Sequence, residues 1–104
     1  MSAEAVPPIT TLSGFQRDAL AVLARDGPLY GLAIKRELED LYDDDINHGQ
    51  LYPNLDTLVE SGFLKKSQRD RRTNEYEVTE TAHDVLATHI TWLGVCLGDG
   101  ENVD

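Results

Sequence analysis

One stretch, NHGQLYPNLDTLVESGFLKKSQRDRRTNEYEVT from Asn47 to Thr79, constrains the fold of this chain more than any other. Leu51, Leu55 and Leu58 recur at three- and four-residue spacing and mark the buried face of a helix. Asn47 suits its N-cap, and Gln50, three residues on, can complete a capping box. Gly62 suits a left-handed helix end. Pro53 conflicts with a helix interior, so either it is tolerated in the opening turns or helix geometry begins just before it. Phe63-Leu64-Lys65-Lys66 then reads as a short strand. Glu75-Tyr76-Glu77-Val78 reads as its antiparallel mate, with Tyr76 and Val78 toward the core. The polar link Gln68–Asn74 is too long for a tight turn and makes a hairpin tip.

The flanking segments supply partners for that arc. A first helix is expected from a Ser13 cap, with Phe15, Ala19, Val22 and Leu23 as its buried stripe and Gly27-Pro28 as its stop. A second should run from about Tyr30 to Tyr42 with Ile34, Leu38 and Leu41 inward. Asp43 to Asn47 reads as a polar turn with Asx-type bonding. Thr79 can cap a last helix bearing Ala82, Val85, Leu86, His89, Ile90, Trp92, Leu93 and Leu97. That is more apolar surface than a lone terminal helix needs to pack on a small domain. The pattern predicts an α+β fold, a winged helix-turn-helix: a three-helix core, a two-stranded wing and a C-terminal dimerisation helix. Residues 1–11, with Pro7 and Pro8, read as a flexible N-terminal arm or an extended lead-in. Residues 12–78 form the DNA-binding unit, 79–97 the dimerisation helix and 98–104 a tail.

A length of 104 residues accommodates one domain with one modest core. The formal charge of -10 opposes contact with phosphate, but the charge is unevenly spread. Residues 63–78 hold five basic residues against three acidic ones, so that segment is +2 and the remainder -12. Asp43-Asp44-Asp45 and a total of three lysines fit adaptation to molar salt, where screening shortens repulsion to a few ångströms. An ordinary soluble acidic protein fits the same composition. The single Cys96 excludes an internal disulfide or a zinc cluster and reads as an inert packed thiol in a reducing cytosol. No apolar run reaches a membrane span and no leader pattern is present, so a cytoplasmic location is expected.

Base contacts need exposed donors and acceptors on a rigid element. His48, Gln50, Asn54 and Thr57 lie off the leucine face near the start of the third helix and meet that need. Tyr52 sits beside the stripe, where its ring can complete the core and its hydroxyl can reach a phosphate. Arg69, Arg71 and Arg72 on the hairpin can enter the minor groove or clamp phosphates. Lys65 and Lys66 can point opposite ways from their strand. Lys35 and Arg36 begin the polar face of the second helix, which crosses the backbone in this architecture. The aspartate run is a solvated turn rather than a metal loop, since consecutive carboxylates do not converge, though it can associate cations loosely at high salt. His83 and His89 lack a third ligand candidate nearby. No cofactor motif and no nucleophile–base pair is present, so catalysis is not expected.

Gly49-Gln50-Leu51-Tyr52-Pro53, continuing through Leu55, Leu58 and Glu60 to Gly62-Phe63-Leu64, resembles the recognition helix of the PadR-like transcriptional regulators. Tyr30-Gly31-Leu32 resembles the start of the helix before it, and Arg71, Arg72, Tyr76 and Thr79 resemble the wing and its exit. The acidic character resembles a haloarchaeal member. The resemblance spans roughly residues 12–90 and implies a dimeric winged-helix repressor or regulator joined through its C-terminal helix. Val85, Leu86, His89, Ile90, Leu93 and Leu97 would then form the interface, over an inverted-repeat DNA site. Ala82 stands where the family usually has glycine, and the C-terminal region is short. The charge keeps a second reading open, a winged-helix protein-interaction module without specific DNA binding.

Overall fold

The computed structural model describes residues 6–70 and 73–98. In chain order they form α1 (Gly14–Asp26), β1 (Leu29–Tyr30), α2 (Gly31–Tyr42), α3 (His48–Glu60), β2 (Leu64–Gln68), β3 (Asn74–Val78) and α4 (Glu80–Cys96). A 3-10 turn at Ile9–Thr11 precedes α1. Ile9 is buried in the core and Val6 packs against it, so the segment from Val6 fits the extended lead-in rather than the free arm. Its apolar side chains find the core despite the local stiffness.

The helix boundaries follow the capping chemistry. Ser13 Oγ accepts from the Gln16 N–H, and Gln16 Oε1 accepts from the Ser13 N–H, a reciprocal capping box. At α3 the box expected of Asn47 and Gln50 is half formed. Asn47 Oδ1 accepts from the Gln50 N–H at 2.7 Å, without the return bond. Pro53 lies inside α3, which continues through it. Past Ser61 the chain turns at Gly62, φ 87°, and the Phe63 N–H reaches back to the Leu58 carbonyl. Thr79 Oγ1 accepts from the Ala82 N–H and donates to the Gly62 carbonyl, which ties the start of α4 to the end of α3.

The sheet has three strands in the order β1-β3-β2, all antiparallel neighbours. Two of them form the expected wing. The third, β1, pairs Leu29 with Tyr76 and Tyr30 with Glu75. Leu20, Leu23, Ile34, Leu38, Leu51, Leu55, Leu58, Phe63 and Tyr76 are fully buried where the three helices meet the sheet. Truncating one of these leucines to alanine costs about 2–5 kcal/mol by lost burial and cavity formation. Leu20 joins the expected stripe of α1, and Phe15 is only half-buried, stacked on Tyr42 with ring centroids 6.1 Å apart. Leu41 departs from expectation at 59% exposed. It shares the angular face of Ile34 and Leu38, but it sits in the final turn of α2, where no described residue covers it.

Candidate nucleic-acid interface

The N-terminus of α2 and the front of α3 are held together by an aromatic contact. The Tyr52 ring lies over Gly31 so closely that a β-carbon at position 31 would stand 2.5 Å from the hydroxyl oxygen and 2.7 Å from Cε1. Only glycine admits that approach. His48 stacks on the same ring, centroids 5.5 Å apart and planes within 4°. Tyr52 therefore has apolar contacts on α2 and an exposed histidine beside it on α3.

Around Tyr52 opens a cleft of about 750 Å³. Its walls come from Tyr30, Leu32 and Arg36 at the start of α2, from Tyr52, and from Asp70, Thr73 and Asn74 at the wing. The start of α2, the front of α3 and the wing thus share one concave surface. The sequence marked Tyr30 only as the start of a helix, and Thr73 and Asn74 only as part of the hairpin link; the two-residue β1 that brings Tyr30 beside the wing is too short to leave a periodic signal.

The wing charges are distributed on both faces. Lys65 faces Glu77 across the strands at 4.0 Å, while Lys66 points to α3, 3.9 Å from Asp56. Arg69 lies 3.7 Å from Glu75. These exposed pairs are long and individually weak, so each cation remains available to a phosphate. Arg71 and Arg72 lie outside the described residues.

The four candidates for base contact divide into two kinds. His48 and Gln50 are exposed, and the Gln50 side-chain amide has no hydrogen bond among the described residues. Asn54 is engaged: its Nδ2 donates to the Gln50 carbonyl at 2.7 Å, and its Oδ1 accepts from Gln16 Nε2 at 2.9 Å. Thr57 Oγ1 donates to the Pro53 carbonyl at 3.1 Å. Helical spacing shows the face of these residues but not a partner arriving from α1. Lys35 is likewise engaged, donating to Glu39 at 2.8 Å with 22% of its side chain exposed. Its neighbour Arg36 is exposed on the cleft.

Glu39 was missed by sequence reading and supports the turn before α3. Its Oε2 accepts from the buried Ile46 N–H at 3.0 Å as well as from Lys35. The Ile46 bond first, and the lysine second, hold the Glu39 carboxyl below the usual glutamate range. The aspartates of that turn stay in solvent, with Asp44 Oδ1 accepting from the Asp45 N–H and Asp43 in the left-handed region at φ 55°.

Residues 19–88 match the family model of the transcriptional regulator PadR-like family. The chain belongs to this family. Among solved structures it is similar to RosR of H. salinarum, grown from NaBr, at 48% identity over 81% of this chain and 76% of that one, TM-score 0.78. It is also similar to RosR in the RosR–S1 complex, at 43% identity over 90% of this chain and 87% of that one, TM-score 0.82. F93 from STIV, a winged-helix DNA-binding protein, shares the fold at 23% identity, covering 75% of this chain and 85% of that one, TM-score 0.65. No curated protein matches. The chain is thus a winged-helix member of a family of transcriptional regulators with haloarchaeal relatives, and not an enzyme.

The α4 helix of this PadR-like chain divides its apolar residues. Ala82 and Leu86 are buried in the chain's own core and Val85 packs against it. That removes Leu86 and most of Val85 from the expected interface. Ile90, Trp92, Leu93, Val95 and Leu97 are exposed, and Trp92 stacks on His89 with centroids 5.6 Å apart. Cys96 is free and exposed at the end of this helix rather than packed as expected. No described helix is long and apolar enough to cross a membrane.

Proposed function

We propose that this chain is a sequence-specific double-stranded DNA-binding transcription regulator, a repressor that acts as a homodimer. The observation that carries the reading is the cleft shared by the start of α2, Tyr52 of α3 and the wing. In winged-helix readers these elements meet one stretch of duplex. The front of α3 enters the major groove with His48 and Gln50 toward base edges. Tyr52 and Arg36 meet the sugar-phosphate backbone. Lys65, Lys66 and Arg69, with Arg71 and Arg72, serve phosphates or the minor groove.

The exposed apolar face of α4 pairs with its copy about a two-fold axis. Two recognition helices then lie about one DNA turn apart, roughly 34–36 Å, over an inverted repeat. Exposed acidic residues beside the site, Asp40, Asp56 and Glu60, repel phosphate unless cations stay between the surfaces. Loosely held cations and molar salt are therefore part of the binding reaction.

Titrating the protein into labelled duplexes from its own promoter region, against scrambled duplexes at fixed salt, tests the reading. Tighter binding to the promoter duplex supports it. Absence of binding to any genomic duplex would favour a protein-interaction module.

A further inference from the structure

We propose that Gln16, on α1, is a positioning residue for DNA recognition: it braces Asn54 and thereby sets the rotation at which α3 presents His48 and Gln50. This role rests on the DNA-recognition reading above and adds a residue that lies outside both the recognition helix and the wing.

The brace is a continuous chain of hydrogen bonds. The Ser13 N–H donates to Gln16 Oε1 at 3.0 Å, Gln16 Nε2 donates to Asn54 Oδ1 at 2.9 Å, and Asn54 Nδ2 donates to the Gln50 carbonyl at 2.7 Å. Its direction is forced at both ends. A backbone N–H can only donate and a backbone carbonyl can only accept, so neither amide can flip without setting like against like. Gln16 and Asn54 are both half-buried, which favours a fixed geometry over exchange with water.

The brace lands where α3 is least able to hold itself. Pro53 has no N–H, so the Gly49 carbonyl loses its bond within the helix. Gln50 and Asn54 form the next rung of the helix beyond that gap. A helix weakened in its opening turns can change its rotation or tilt there, and those turns carry the exposed His48 and Gln50. Base readout is sensitive to such displacement, whereas phosphate contacts from the wing are not.

Three variants separate positioning from folding. Gln16→Met keeps the length and removes both side-chain bonds. Gln16→Glu keeps an acceptor for the Ser13 N–H but sets a second acceptor against Asn54 Oδ1, so the helix cap survives and the brace does not. Ser13→Ala removes the side-chain cap and leaves the brace. The probes are a duplex selected from a random pool by the wild-type protein and a scrambled duplex of equal composition, at one salt concentration. Both Gln16 variants should lower the ratio of selected to scrambled affinity by about tenfold, the scale of one displaced base contact. Ser13→Ala should lower the melting temperature and leave that ratio unchanged. In an Asn54→Ala background, Gln16→Met should change the ratio no further. An unchanged ratio in both Gln16 variants would overturn the positioning role, as would an equal fall in Ser13→Ala. If the wild type itself binds both duplexes equally, the DNA-recognition reading fails, and the role of Gln16 with it.

Discussion

The Tyr52 ring covers Gly31 at a distance that leaves no room for a β-carbon, so the first turn of α2 and the front of α3 are packed through a glycine and an aromatic ring. This contact couples two short motifs, Tyr30-Gly31-Leu32 and Gln50-Leu51-Tyr52-Pro53, that lie well apart in the chain. Gly31→Ala should destabilise the protein by about 1–3 kcal/mol, because the ring or the helix must shift. In a Tyr52→Ala background the same change should be neutral or mildly stabilising, since alanine favours helix. A double-mutant cycle from urea unfolding checks this. Equal costs in both backgrounds would place the restriction on Gly31 elsewhere.

The exposed apolar half of α4 should hold two copies together. Leu93→Asp sets a charge in the middle of that face and should convert the dimer to monomer in sedimentation at micromolar protein. Leu86→Asp should instead impair folding, because Leu86 is 5% exposed and belongs to the chain's own core. A wild-type monomer at every concentration, in both low and molar salt, would contradict the dimer. A dimer that survives Leu93→Asp would move the interface to another face.

Glu39 links pH to the turn that leads into α3. Its carboxyl is held below the ordinary 4.5 in the folded state, so folding favours the ionised form. The stability this contributes is fully present above the unfolded value and is lost as pH falls through the folded one. Denaturation midpoints should therefore be level near neutrality and fall in the acid range below about pH 4.5. Glu39→Gln should reduce the neutral-pH midpoint and flatten the acid decline. An acid decline equally steep in the variant would assign the effect to other carboxylates.

Much of this architecture was legible in the sequence because its signals are local. Ser13, Asn47 and Thr79 do cap their helices, Gly62 does adopt a positive φ, and the leucines of α3 are all buried. Contacts between elements were harder to read. The amide of Asn54 is exposed by helical spacing alone, yet Gln16 reaches it from α1. The Ser13-x-x-Gln16 spacing was visible and would have located one end of that brace. The strand β1 is too short for periodicity, so Tyr30 was not placed beside the wing. On α4 a continuous apolar run does not say how much is spent internally, and Leu86 proved to be core while Leu97 is 83% exposed. Cys96 followed the same ambiguity, being exposed where a packed thiol was expected.

The wing cations should act on affinity rather than on sequence preference. Lys66→Ala and Arg69→Ala should each weaken selected and scrambled duplexes to a similar degree and reduce the salt slope by about one. A variant that lost only selected-duplex affinity would show that its side chain reads bases instead.

Salt dependence should be shallow for the wild-type protein. A basic binder loses affinity steeply as salt rises because it releases cations from DNA. Here repulsion from Asp40, Asp56 and Glu60 is also screened, over only about 3 Å at 1 M. Affinity measured from about 0.2 to 2 M potassium chloride should fall little or rise over part of that range. A slope equivalent to about six or more released cations would show that the acidic surface does not shape binding.

The most direct measurement is the affinity of the wild-type protein for its selected duplex and for the scrambled one, at one molar-range salt concentration, with folding checked in the same buffer. Sequence-specific recognition through α3 predicts tighter binding to the selected duplex by about 10³-fold or more. Equal affinities, or no binding to either, would contradict it.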